Sequence, residues 1–156
     1  MITIKEDKNC SRIYLSIENF SKLTRVAVDK AFYQLGKMLK KTAKESILKK
    51  PKHGKVYFHR DKLGRRIKHV ASEPGEPPAN MTGNLHRNLF WEVKPKRLIF
   101  GNKADYGAYL ELGTRKMKRR TYLLTAIRAN RNKMNQLFDM ALKKKVEGVT
   151  GENFRN

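Results

Sequence analysis

The stretch that decides the fold is Gly101 to Leu123, GNKADYGAYLELGTRKMKRRTYL, a short amphipathic turn, a Gly-Thr stop and a basic loop ahead of a helix. Tyr106, Tyr109 and Leu110 are three and four residues apart, which places them on one face of a short helix from Ala104 to Leu112. Gly113 then supplies the position after a helix where positive φ costs little. Beyond the basic loop, Thr121 is positioned to cap a long final helix. The apolar face of that helix is Leu123, Leu124, Ile127, Met134, Leu137, Phe138, Ala141 and Leu142, with Lys143, Lys144 and Lys145 toward the negative end of its dipole.

Working toward the N-terminus, Leu89 to Val93 and Arg97 to Phe100 read as a strand pair joined across Lys94-Pro95-Lys96. The segment Ser72 to Gly83, SEPGEPPANMTG, holds three of the five prolines and predicts an extended loop or arm. Val56 to Arg60 and Arg65 to Val70 flank Asp61-Lys62-Leu63-Gly64 as a hairpin with an Asp/Gly turn. Leu23, Val26, Ala27, Ala31, Phe32, Leu35, Met38, Leu39, Ala43 and Ile47 recur at helical spacing and predict a long helix from about Phe20 to Lys49, ended by Pro51 and Gly54. Ile2 to Lys5 and Arg12 to Ile17 alternate as a hairpin or two edge strands. The expectation is one α+β domain over residues 1–147, two long helices on a small mostly antiparallel sheet, with a flexible tail over 148–156 and no internal repeat.

Thirty-six Lys and Arg against fourteen Asp and Glu leave a formal charge of +22, while 39% of the residues are hydrophobic, enough to fold. The charge is concentrated. Lys52, Lys55, Arg60, Lys62, Arg65, Arg66 and Lys68, preceded by Lys49 and Lys50, form one group, and Arg115, Lys118, Arg119 and Arg120 another. A charge run is ordinarily a solvated face, but an excess this large also suits DNA, through salt-sensitive phosphate contacts, or an acidic protein ring. All three readings stay open on sequence alone.

A lone Cys10 excludes an intramolecular disulfide and suits a reducing compartment. No leader pattern opens the chain, and no stretch approaches the ~20 apolar residues of a membrane span. His53, His59, His69 and His86 lack metal-site spacing, and no nucleophile elbow, Walker loop or dinucleotide fingerprint is present. The sequence therefore predicts a non-enzyme with no metal and no cofactor.

Two motifs point to a family. Gly75, Pro77, Pro78, Thr82, Gly83 and Leu85 look like Gly-x-Pro-Pro followed by Thr-Gly-x-Leu. Gly101, Tyr106, Tyr109, Leu110, Glu111, Gly113, Thr114, Lys116 and Met117 are similar to Tyr-Ala-x-Tyr-Leu-Glu-x-Gly-Thr-x-Lys-Met. Together, in that order, they resemble the tail-completion (head–tail joining, or neck) family of tailed bacteriophages. The chain departs from the pattern at Gly107, where the family has alanine, and at Arg119-Arg120-Thr121, which lacks the family's helix-starting proline. The long basic hairpin has no counterpart in the pattern.

The resemblance implies a structural virion protein made in the host cytoplasm and placed in the neck, at the top of the tail. It would form a ring with itself, six copies by analogy with tail tubes, and meet a head connector or stopper protein and a tail tube or terminator protein, with packaged DNA within reach. The implied subunit or partner interface is the set of motif residues from Gly75 to Leu85 and from Tyr106 to Met117. The Pro-Pro arm would lie on a neighbouring subunit with a reduced ordering cost. Glu111 has two readings: local pairing with Arg115, with Tyr109 and Leu110 in the core, or fixing the basic loop for docking. A small basic nucleic-acid-binding protein is the alternative of a different class.

Overall fold

In the computed structural model residues 2–6, 12–17 and 22–152 are described. Cys10 and the Glu6 to Ser11 connection beyond Glu6 lie outside them, as do the expected helix start at Phe20 and residues 153–156. The architecture is mixed α and β. Strands β1 (Ile2–Glu6), β2 (Arg12–Ile17), β5 (Leu89–Lys94) and β6 (Arg97–Asn102) form one antiparallel sheet in the order β1-β2-β6-β5, and β3 (Val56–Arg60) and β4 (Arg66–Val70) form a separate two-stranded ribbon. Only β1 of the first pair is an edge strand, since β2 is hydrogen-bonded to both β1 and β6.

Register explains the core. Ile13 lies opposite Phe100, Leu15 opposite Leu98, Trp91 opposite Phe100 and Val93 opposite Leu98, so one face of the pleat is continuously apolar. Helix α1 (Lys22–Leu48) lies against it. Its Val28, Ala31, Phe32, Leu35, Leu39, Ala43 and Ile47 are buried at helical spacing. Val26 belongs to the expected stripe but is exposed, and Val28 takes the inward place. Gly36 allows the closest approach: a Cβ there would stand 2.6 Å from the Trp91 ring. That ring packs edge-on to Tyr33, with centroids 4.8 Å apart. At the other end of α1, Lys52 Nζ donates to the Ser46 carbonyl, satisfying an acceptor of the last turn.

The expected single C-terminal helix is two, α4 (Leu123–Ala129) and α5 (Arg131–Glu152). Asn130 makes the break. Its backbone leaves helical geometry, with φ −108° and ψ 8°, and its buried amide donates to Ala126 O and to Thr42 Oγ1 of α1. The bend brings Met134 and Phe138 into the core, Phe138 meeting Phe32 edge to face at 5.2 Å. Leu142 remains exposed. Helix α5 continues through Gly148 to Glu152, beyond the expected start of a flexible tail, so Lys143 to Lys145 precede its last turns.

Gly36→Ala is expected to destabilise the fold by about 1–3 kcal/mol, because the added methyl group must displace an indole wedged between helix and sheet. Urea unfolding followed by Trp91 fluorescence measures it.

Candidate functional site

The two motif stretches, apart in sequence, adjoin in space, and three short elements position them. Gly83, with φ 80°, starts α2 (Asn84–Arg87), a helix that the sequence reading missed because four residues carry no periodicity. Asn102 fastens this element to the end of β6: its buried amide donates to Leu85 O while its Oδ1 accepts from Ala104 N. Lys103 N, in turn, donates to Asn88 O. The chain then enters α3 (Gly107–Leu112), later and shorter than expected.

Glu111 is the centre of the arrangement. It is 2% exposed, and its carboxylate accepts three backbone N–H groups at the start of α4: Tyr122 and Leu123 on Oε2 at 2.9 and 3.0 Å, and Leu124 on Oε1 at 2.9 Å. Those donors have no acceptor within their own helix, so a carboxylate delivered from α3 replaces the usual local cap and places negative charge at the positive end of the dipole. Thr121, expected to be the cap, instead bonds Thr125 through its hydroxyl. Glu111 therefore joins two elements, and by fixing where α4 begins it also anchors the basic loop that leads there. The Tyr122 ring is fully buried, with its hydroxyl 3.4 Å from Gly107 O.

The loop between α3 and α4 is built inward from the same carboxylate. Gly113 has φ 80° and ψ 176°, a region that is essentially glycine's alone, rather than the left-handed helical cap expected of it. Thr114 closes the next turn: its Oγ1 accepts from Lys116 N and Met117 N, and its own N donates to Met117 O at 2.8 Å. Arg119 Nε reaches Glu111 O and Arg120 Nε reaches Ser72 O. These two cations, expected at an anion surface, hold backbone carbonyls; Arg115, Lys116 and Lys118 face solvent.

The proline arm folds back on its own chain. Pro77 and Pro78 are buried, Gly75 N donates to Arg119 O, and Glu76 closes the arm's turn by accepting from Glu73 N at 2.9 Å. The Glu76 carboxylate also receives His53 N and pairs with the His53 ring. The Glu73 N–H bond, followed by the His53 side chain, lowers its pKa to about 2. Exposed positions of the arm are confined to Glu73–Gly75 and Asn80–Thr82.

Between arm and α3 lies an open, mainly apolar cleft of about 460 Å³, lined by Pro78, Met81, Leu85, Tyr106, Leu110 and Arg120 among others. Met81, Tyr106 and Tyr109 are 59%, 41% and 59% exposed. Tyr109, expected in the core, thus stands outside, and only Leu110 of that pair turns inward. His86 borders this region; burial, and then the charges of Lys44 and Arg87, lower its pKa.

Among the described residues no group of three or more His, Cys, Asp or Glu is arranged to hold a metal ion, and no helix is long and apolar enough to cross a membrane. No protein-family model, curated protein or solved structure matches the chain.

Glu111→Ala is expected to cost about 3 kcal/mol in urea unfolding, since it leaves three buried N–H groups without an acceptor; Glu111→Gln, which keeps one oxygen, should cost less. The Glu76 carboxyl should titrate near pH 2 by NMR. An unfolded glutamate protonates around 4.5, so the arm contact contributes fully above that pH and is lost as pH falls through about 2.

Proposed function

We propose that the chain is a structural subunit of a tailed-phage neck, a non-enzymatic protein that assembles with itself into a ring at the top of the tail and joins the tail to the head. One observation carries the reading. The two stretches that resemble the neck family meet at one cleft, lined by Pro78 to Gly83 and Leu85 of the first and by Tyr106 and Leu110 of the second, where a buried framework presents exposed apolar side chains. Met81 and Tyr106 in an apolar cleft, with Tyr109 exposed on the adjoining helix α3, are what a partner surface needs and what an isolated soluble chain has little use for.

A repeated head-to-tail contact closes into a ring when its rotation permits, and the tip of the arm at Asn80–Thr82 with the Tyr109 face is where a neighbouring copy would lie. Six copies, a connector or stopper protein above and a tail tube or terminator below complete the proposal, with the neck of the virion as its location. The buried Pro77-Pro78 pair acts within its own chain, stiffening the arm and leaving contact to the residues on either side. The alternative class, a small nucleic-acid-binding protein, is favoured by a different surface, the basic ribbon.

Light scattering at low and high salt, with and without DNA, tests the ring. A discrete oligomer that persists in high salt is expected, and Tyr109→Arg should dissolve it without lowering the melting temperature. A monomer that changes mass only with DNA would contradict the proposal.

A further inference from the structure

The ribbon β3–β4 stands apart from the four-stranded sheet and is exposed along most of its length. Between Lys55 and Val70 it carries six basic residues and one acidic residue, Asp61. That carboxylate is already engaged, with Oδ2 on Arg65 Nε and Oδ1 accepting from the Leu63 and Arg65 backbone N–H groups. Direct cross-strand partners share a face, and Val56↔Val70, Phe58↔Lys68 and Arg60↔Arg66 are partners. One face therefore presents Phe58, Arg60, Arg66 and Lys68, all exposed. The other carries Tyr57, His59, Ile67 and His69, of which His69 lines the cleft.

Two features of the cationic face go beyond a solvated charge run. Arg60 and Arg66 lie directly opposite one another, a like-charge pairing that destabilises a two-stranded ribbon which is marginal by itself. Neither these two nor Lys68 forms an ion pair with a carboxylate among the described residues. The guanidiniums are nonetheless held: Arg66 lies 4.0 Å over the Phe58 ring, and Arg60 Nη1 donates to Gly64 O. Cations fixed in place, mutually repelling and without counter-charge are arranged for an external polyanion.

We infer that this face of the ribbon binds the phosphate backbone of duplex DNA, with Arg60, Arg66 and Lys68 as the phosphate contacts. A two-stranded ribbon fits the major groove of a duplex, about 12 Å wide. The contacts carry no base-reading pattern, so binding is independent of sequence and steeply dependent on salt. The inference rests on the ribbon alone and stands or falls separately from the ring.

The test is fluorescence anisotropy of the full chain with a labelled duplex of about two helical turns, over a salt series. The variant Arg60→Gln/Arg66→Gln/Lys68→Gln is compared with Lys41→Ala/Arg131→Ala/Lys133→Ala, which removes equal charge from exposed helix positions. The ribbon variant is expected to bind roughly ten-fold or more weakly and to lose about 0.9 of salt slope per contact, while the helix variant keeps the slope. Equal losses in the two variants, or tighter binding of poly-glutamate than of duplex, would overturn the inference, the latter in favour of an acidic protein. Acetylation of the unmodified chain gives a readout that needs no variant. Saturating duplex should shield Lys68 and leave Lys41 reactive, and equal reactivity of the two would count against the ribbon.

Discussion

A single buried carboxylate organises the region where the two motif stretches of this molecule meet. Glu111 sits on a six-residue helix, too short to be stable by itself, and accepts the first N–H groups of α4. Because the carboxylate is satisfied by three donors, its burial becomes a directional tie rather than a penalty. Everything between the two helices inherits that constraint: the Gly113 turn, the Thr114 closure and the Arg119 contact back to the Glu111 carbonyl. The arm is tied in turn, through Gly75 to Arg119 and Ser72 to Arg120.

The result is a division of labour within a strongly basic chain. Some cations are structural, Lys52 at the end of α1 and Arg119 and Arg120 in the loop, each spent on a backbone carbonyl. Others are left outward on the ribbon and at the tip of the 114–118 loop. Net charge alone makes no such distinction. It emerges only once the hydrogen bonds are known, and it changes where a polyanion or an acidic partner would be sought.

Much of the architecture was legible in the pattern of apolar residues. The α1 stripe from Ala31 to Ile47, the strand pair from Leu89 to Phe100 and the ribbon with its Asp/Gly turn fall where periodicity places them. What escaped depends on partners distant in sequence. Thr121 has the chemistry of a cap, but a carboxylate ten residues earlier is better placed and charged. Asn130 reads as one more polar residue in a helix, and becomes a break because Thr42 of α1 receives its amide. Asn102, which fastens the two motifs together, gives no local signal at all. Tyr109 follows the helical spacing of a core residue and yet faces out, because α3 buries Glu111 instead.

The tie at Glu111 is most directly tested by amide hydrogen exchange at Tyr122, Leu123 and Leu124. The opening N–H groups of a helix ordinarily lack a protein acceptor and exchange fast. Here they should exchange as slowly as the amides of β6, and speed up selectively in Glu111→Ala. Exchange at the rate of an open loop in the unmodified protein would contradict the account.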